Sequence, residues 1–238
     1  MQLTLKNLRK DFDGKKVLQG IDFTFEKGKI YGLLGRNGAG KTTLFNCLSG
    51  ELEADEGQVH LEGEKGLRPL RDEDVGYVFS LPILPEFLTG YEFLKFFTDI
   101  NRDKVPQGLT VDDYLEMVKI DGEDRHRLIK GYSHGMKNKI QMLCFLITRP
   151  PLILLDEPLT SFDVIAALEM KKLLREMKQD HILVFSTHIL QLAQDLCDEL
   201  VLLRHGRIEA VPPELLRSPD FEEKIVTLLG DEPDVQNS

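Results

Sequence analysis

The first thirty residues alternate between apolar and polar positions. Leu3, Leu5 and Leu8 open an apolar edge, Gly14 punctuates a turn, and Ile21, Phe23 and Phe25 alternate with polar neighbours. A period of two marks half-buried strands, so this stretch predicts antiparallel β structure, closed at Lys27-Gly28. Ile30 to Leu34 is instead a continuous apolar run of strand length that leads straight into a glycine-rich turn. Thr42 to Ser49 then predicts a helix ended by Gly50, which makes the unit strand, loop, helix. Gly57 to Gly63 and Val75 to Phe79 predict further short strands.

From about Leu81 to Arg149 the period changes. Tyr91 to Phe97, Val111 to Lys119 and Lys137 to Thr148 have helical spacing and no convincing strand between them. This predicts a helical insertion. Leu152 to Leu155 is a bare aliphatic run, suited to a strand covered on both faces of a parallel sheet. A helix (Val164 to Lys178), a strand (Ile182 to Phe185), a helix (Leu190 to Leu196) and a hairpin (Leu200 to Ala210, turning at His205-Gly206) follow. Pro212-Pro213 begins a last helical stretch, and the tail from Asp231 is expected to be disordered. The expectation is one α/β domain over 1–230, with a helical subdomain inserted at about 81–150.

Composition narrows the ligands. The chain carries 30 basic and 40 acidic residues, a formal net charge of −10, which argues against nucleic acid as the main ligand. Cys47, Cys144 and Cys197 are widely spaced and form no CxxC pair, so neither a disulfide framework nor a metal signature is read from them. They are expected to be buried thiols of a reducing compartment. MQLTLKNLRK has no secretory apolar run, and no stretch approaches the roughly 18 apolar residues needed to span a bilayer. A membrane role would therefore need a partner.

The chemistry begins in the glycine-rich turn. Gly35-Arg36-Asn37-Gly38-Ala39-Gly40-Lys41-Thr42 fits G-x-x-x-x-G-K-[ST], with the strand before it and the helix after it that the pattern requires. Glycines let the backbone turn tightly enough for successive N–H groups to face a phosphate, and the helix adds its N-terminal dipole. The cradle runs to Thr43. In it Lys41 supplies a point charge to the β- and γ-phosphates of a nucleotide, and the Thr42 hydroxyl is a ligand for Mg²⁺. The predicted class is an α/β P-loop NTPase core with a mainly parallel sheet and an antiparallel β subdomain on the N-terminal side.

A second element has matching chemistry. Leu152-Ile153-Leu154-Leu155-Asp156-Glu157 puts two carboxylates at the end of an apolar strand, where parallel sheets bind their ligands. Asp156 would hold Mg²⁺, directly or through water. Glu157 would act as the general base on the attacking water.

With both motifs placed, nearly the whole chain resembles the ATP-binding-cassette ATPases. Tyr132-Ser133-His134-Gly135-Met136-Lys137 is similar to the family's signature motif and lies just before a helix. The resemblance implies that Ser133 and Gly135 reach across a head-to-tail dimer to the γ-phosphate bound by a second ATPase subunit, identical or not. Ser161-Phe162-Asp163 resembles the D-loop, which would make contacts across the same dimer, and His188 in Ser186-Thr187-His188 resembles the switch histidine that bonds the γ-phosphate. Phe12 resembles the residue that stacks on adenine, a contact worth ~1–3 kcal/mol in comparable base sites.

One position departs from the family. A glutamine that contacts Mg²⁺ and water usually follows the strand ending near Phe79; here the residue is Ser80, whose oxygen has a shorter reach. Ser80 bears on hydrolysis rate and coupling more than on nucleotide binding. The Tyr-Ser-x-Gly-Met-Lys form of the signature resembles bacterial exporters of the ABC-2-like type. That implies an ATPase at the cytoplasmic face of the cell membrane, driving a separate membrane-spanning permease. Two alternatives stand beside it: a non-transport ABC ATPase, and a weakly hydrolysing regulatory module.

Overall fold

The computed structural model describes residues 1–64, 66–106, 108–158 and 164–230, with the side chains of 164–166 outside the description. The expectations for Ser161 to Asp163 and for the tail from Asp231 lie outside the described residues. Among the described residues ten strands form two sheets. β1 (Gln2–Phe12), β2 (Lys15–Glu26), β4 (Glu56–Gly63) and β5 (Gly66–Pro69) make an antiparallel sheet in the order β2-β1-β4-β5. β3 (Ile30–Leu34), β6 (Val75–Val78), β7 (Leu152–Asp156), β8 (Ile182–Ser186), β9 (Glu199–Arg204) and β10 (Arg207–Ala210) make the other, in the order β10-β9-β3-β8-β7-β6. Its five pairings are parallel except for the antiparallel β9–β10 hairpin. The α/β class with an antiparallel N-terminal sheet is thus the observed architecture.

The β7 sequence shows why a bare aliphatic run was needed. Leu152 and Leu154 pack into one cluster with Leu3, Leu5 and Phe25 of the antiparallel sheet and Leu44, Phe45 and Leu48 of α1 (Lys41–Ser49). Ile153 and Leu155 face the opposite way, against Met170 and Leu174 of α6 (Val164–Met177) and Leu192 and Leu196 of α7 (Leu190–Leu196). With both faces covered, alternation would have buried polar groups without partners.

Between β6 and β7 lie α2 (Gly90–Ile100), α3 (Val111–Met117), α4 (Gly122–Arg125) and α5 (His134–Thr148). Among the described residues of this stretch the only β pairing is an isolated bridge, Thr89 to Leu128. These helices have their own core, with Leu94, Leu115, Ile129, Ile140, Leu143 and Ile147 buried together. The starts of α2 and α3 are set by capping boxes, Thr89 with Glu92 and Thr110 with Asp113. α5 ties this region to the main sheet, because Met142 joins the cluster under β7. α8 (Pro213–Leu216) and α9 (Phe221–Gly230) close the chain, and Phe221 and Ile225 pack beside β9.

Candidate nucleotide site

The loop after β3 is shaped by glycine at two positions. Gly38 and Gly40 have φ of 81° and 103°, a region that side chains rarely adopt, and a Cβ on Gly40 would lie 2.8 Å from Val17 Cγ1. Gly40 is the N-cap of α1 and, having no side chain, leaves the first-turn N–H groups without a cap bond from that position. Lys41 is buried, and its Nζ donates to Gly35 O at 2.8 Å and Arg36 O at 3.4 Å. Burial lowers its pKa; the nearby carboxylates of Glu157 and Asp156 act the other way.

The parallel sheet brings the acidic strand end to this loop. Thr42 Oγ1 donates to Asp156 Oδ2 at 3.2 Å. β7 and β8 are in register so that Asp156 lies beside Ser186, whose buried hydroxyl donates to Asp156 Oδ1 at 2.5 Å. The Glu157 N–H donates to Ser186 as well, at 3.2 Å from both its carbonyl O and Oγ. Glu157 takes φ 52°, and the turn puts its Oε2 2.6 Å from Nδ1 of His188.

A cleft of about 550 Å³ opens over these groups, lined by Phe12, Asn37, Gly38, Gly40, Lys41, Thr42, Thr43, Ser80, Asp156 and Glu157, with Lys15 and Val17. Ala39 faces the adjoining hollow beside Leu203 and Arg204, and its N–H bonds Arg36 O at 3.0 Å. His188 joins through Glu157 rather than by lining the cleft. Ser133 and Gly135 do not line it either. Ser133 caps α5, its hydroxyl accepting the Met136 N–H at 3.2 Å, and Gly135 lies in the first turn.

The sequence reading missed Ser186 as the residue that orients Asp156, although it quoted the Ser-Thr-His triplet. A polar residue ending an otherwise apolar strand, in register with an acidic strand end, was the available signal. Lys15 and Val17 were also missed, because their place depends on how β2 passes the loop.

The donor set fits a hard divalent cation. One hydroxyl and one carboxylate, both oxygen, face a cleft that also holds the lysine and the glycine turn, and Mg²⁺ is commonly held by one or two carboxylates plus phosphates and water. Fold and site together define a P-loop nucleoside triphosphatase of the α/β class.

The comparisons narrow the class to a family. Residues 18–160 match the ABC transporter family. YxlF of Bacillus subtilis (strain 168), an uncharacterised ABC transporter ATP-binding protein, is 32% identical over 210 residues, 87% of this chain and 69% of the relative. An ATP-binding subunit of an ABC transporter has the same fold, with TM-score 0.79, 24% identity, and coverage of 97% of this chain and 100% of the other. The ATP-binding cassette MJ0796, solved as a dimer bound to ADP and Pi, aligns with TM-score 0.72 and 19% identity over 88% of this chain and 99% of the other. The chain belongs to the ABC transporter family, as an ATP-binding subunit. Membership implies ATP as ligand, typically with Mg²⁺, and ATP hydrolysis. Among the described residues no helix is long and apolar enough to cross a membrane.

Proposed function

We propose that this chain hydrolyses ATP as one half of a head-to-tail dimer and drives a separate membrane-spanning permease, in the direction of export. The observation that carries the hydrolytic half is the convergence of Lys41, Thr42, Asp156 and Glu157 in one cleft, with Ser186 and His188 bonded to the two carboxylates. Lys41, Asn37 to Gly40 and Thr43 bind the phosphates, and Phe12 stacks on adenine. Thr42 and Asp156, with Ser80 beside them, would hold Mg²⁺, which when bound would neutralise charge on the β- and γ-phosphates. Glu157 takes the proton of the attacking water, and His188 fixes its carboxylate and bonds the γ-phosphate. Most of the rate effect is electrostatic positioning in a preorganised site.

Ser133 and Gly135 serve the partner's nucleotide. Their place at the start of α5, outside the cleft of their own chain, supports an action in trans. So does the dimeric state of the MJ0796 structure. Exposed Leu81, Ile83 and Phe87, between Ser80 and the helical region, supply an apolar surface on which the permease docks, at the cytoplasmic face of the membrane.

Mixing two inactive variants tests the dimer. Lys41→Met disables one chain's phosphate loop and Ser133→Arg the other's signature. A mixed head-to-tail dimer keeps one intact composite site, so a freely exchanged equimolar mixture should recover about a quarter of wild-type turnover. If the mixture stays as inactive as either variant alone, the trans-acting homodimer is wrong. Recovery of a polytopic membrane protein with tagged chain tests the permease.

A further inference from the structure

Residue 55 holds the end of the strand that carries Phe12. β4 pairs with β1 only as far as Glu56 opposite Arg9, so the last residues of β1 run on without a strand on that side. Asp55 continues the pairing by other means. Its N–H donates to Arg9 O at 2.9 Å, its Oδ2 accepts the Asp11 N–H at 2.6 Å, and its Oδ1 accepts Lys10 Nζ at 2.7 Å. On the β2 side the register shifts between Lys10 and Asp11, so Val17 is an extra residue opposite this point, and Val17 and Phe12 both line the nucleotide cleft. Bulges of this kind re-aim side chains next to sites.

Lys10 carries the brace to the ring itself. Its Nζ stands 5.6 Å from the centroid of the Phe12 ring, within cation–π range, while its stem is mostly buried. Phe12 is 44% exposed. An ammonium fixed over one face of the ring leaves the other face for a base.

We propose that Asp55 is a positioning residue for nucleotide binding: through Lys10 and the Asp11 N–H it fixes the Phe12 ring at the angle on which a purine base stacks. The inference rests on Phe12 being the base platform. It adds that the platform is set from β4, by a residue that does not line the cleft. An Asp that merely stapled two strands together would show no preference for ligands that have a base.

The test compares Mg-ATP with Mg-tripolyphosphate, which offers the phosphates without a base, by calorimetric titration of the full chain. Phe12→Ala should weaken ATP binding roughly tenfold and leave tripolyphosphate alone, as loss of a stacking partner does. Asp55→Ala should weaken ATP roughly fivefold, a fraction of that stacking energy, and change tripolyphosphate less than about twofold. Lys10→Met, which keeps the stem, should act in the same direction, and Asp55→Ala should add nothing in the Phe12→Ala background. Asp55→Asn, close to isosteric, replaces Asp55→Ala should that variant not fold. If Phe12→Ala weakens ATP and the Asp55 variants do not, or if they weaken both ligands equally, the positioning role is wrong while the platform stands. If Phe12→Ala leaves ATP binding unchanged, the platform itself is wrong, and this inference falls with it.

Discussion

Glu157 Oε2 and His188 Nδ1 lie 2.6 Å apart, bridging the ends of two parallel strands that are neighbours in the sheet. The Glu157 backbone is tied to Ser186, so neither end of this residue turns freely. Under the proposed mechanism this carboxylate, held beside Asp156 at the phosphate loop, takes the proton of the attacking water. Glu157→Gln keeps size and polarity but removes the base. It should lower kcat roughly 100-fold or more, the scale of a lost general base, while Mg-ATP affinity measured by titration changes little. Equal turnover in mutant and wild type would remove Glu157 from that role.

Lys41 gives a second, opposite-looking result. Burial keeps its pKa below the ordinary lysine range despite two carboxylates nearby. A lysine that ionises less readily in the fold costs stability wherever the unfolded chain keeps it charged, which is below about pH 10. The cost fades as pH rises through that range. Lys41→Met should therefore abolish measurable ATP binding and yet raise Tm at neutral pH. Thermal melts at pH 7 and pH 10 check it, since the gain should shrink at the higher pH.

The contrast between Lys41 and Ser186 shows what a sequence carries. Lys41 sits in a local pattern whose flanking strand and helix are written in the same dozen residues, so loop, strand and helix could be read together. β3, β7 and β8 were legible for a similar reason, as aliphatic runs with no other way to be buried. Ser186 acts through register between strands thirty residues apart, which periodicity does not encode. β5 was missed because Gly66–Pro69 has neither alternation nor β-branched residues and pairs only at a sheet edge. Asp55 was unread for the same cause as Ser186: its partners lie on β1, across the antiparallel sheet. The signature residues were placed by resemblance alone.

Ser80 lines the cleft with Asp156 and Glu157, where the family usually has glutamine. A glutamine amide would extend two heavy atoms further into the cleft than the serine hydroxyl does. Ser80→Gln should raise kcat by roughly two- to fivefold with little change in ATP affinity, a gain of under about 1 kcal/mol in the transition state. Steady-state phosphate release with saturating Mg-ATP measures it. A fall in kcat would mean that the rest of the cleft is fitted to serine.

Gly57 sets the distance at which β4 crosses β1, and the whole Phe12 strand depends on it. Its φ is 101°, outside the range side chains favour, and a Cβ there would lie 2.5 Å from Asn7 O and 2.6 Å from Leu8 Cα. Both are backbone atoms, at the point where the β1–β4 register shifts and Asn7 itself has φ 48°, so there is no flexible neighbour to yield. Gly57→Ala should therefore cost about 3 kcal/mol, combining backbone strain with a forced separation of strands. For a chain of this size that lowers Tm by roughly 6–12 °C. The same separation would draw Asp55 away from Lys10 and Asp11, two residues upstream of the clash. ATP affinity in the folded variant should then fall as in Asp55→Ala, with tripolyphosphate affinity held. Calorimetric titration well below the new Tm separates that local effect from the loss of stability, and an unchanged Tm would contradict the geometry from which the prediction is drawn.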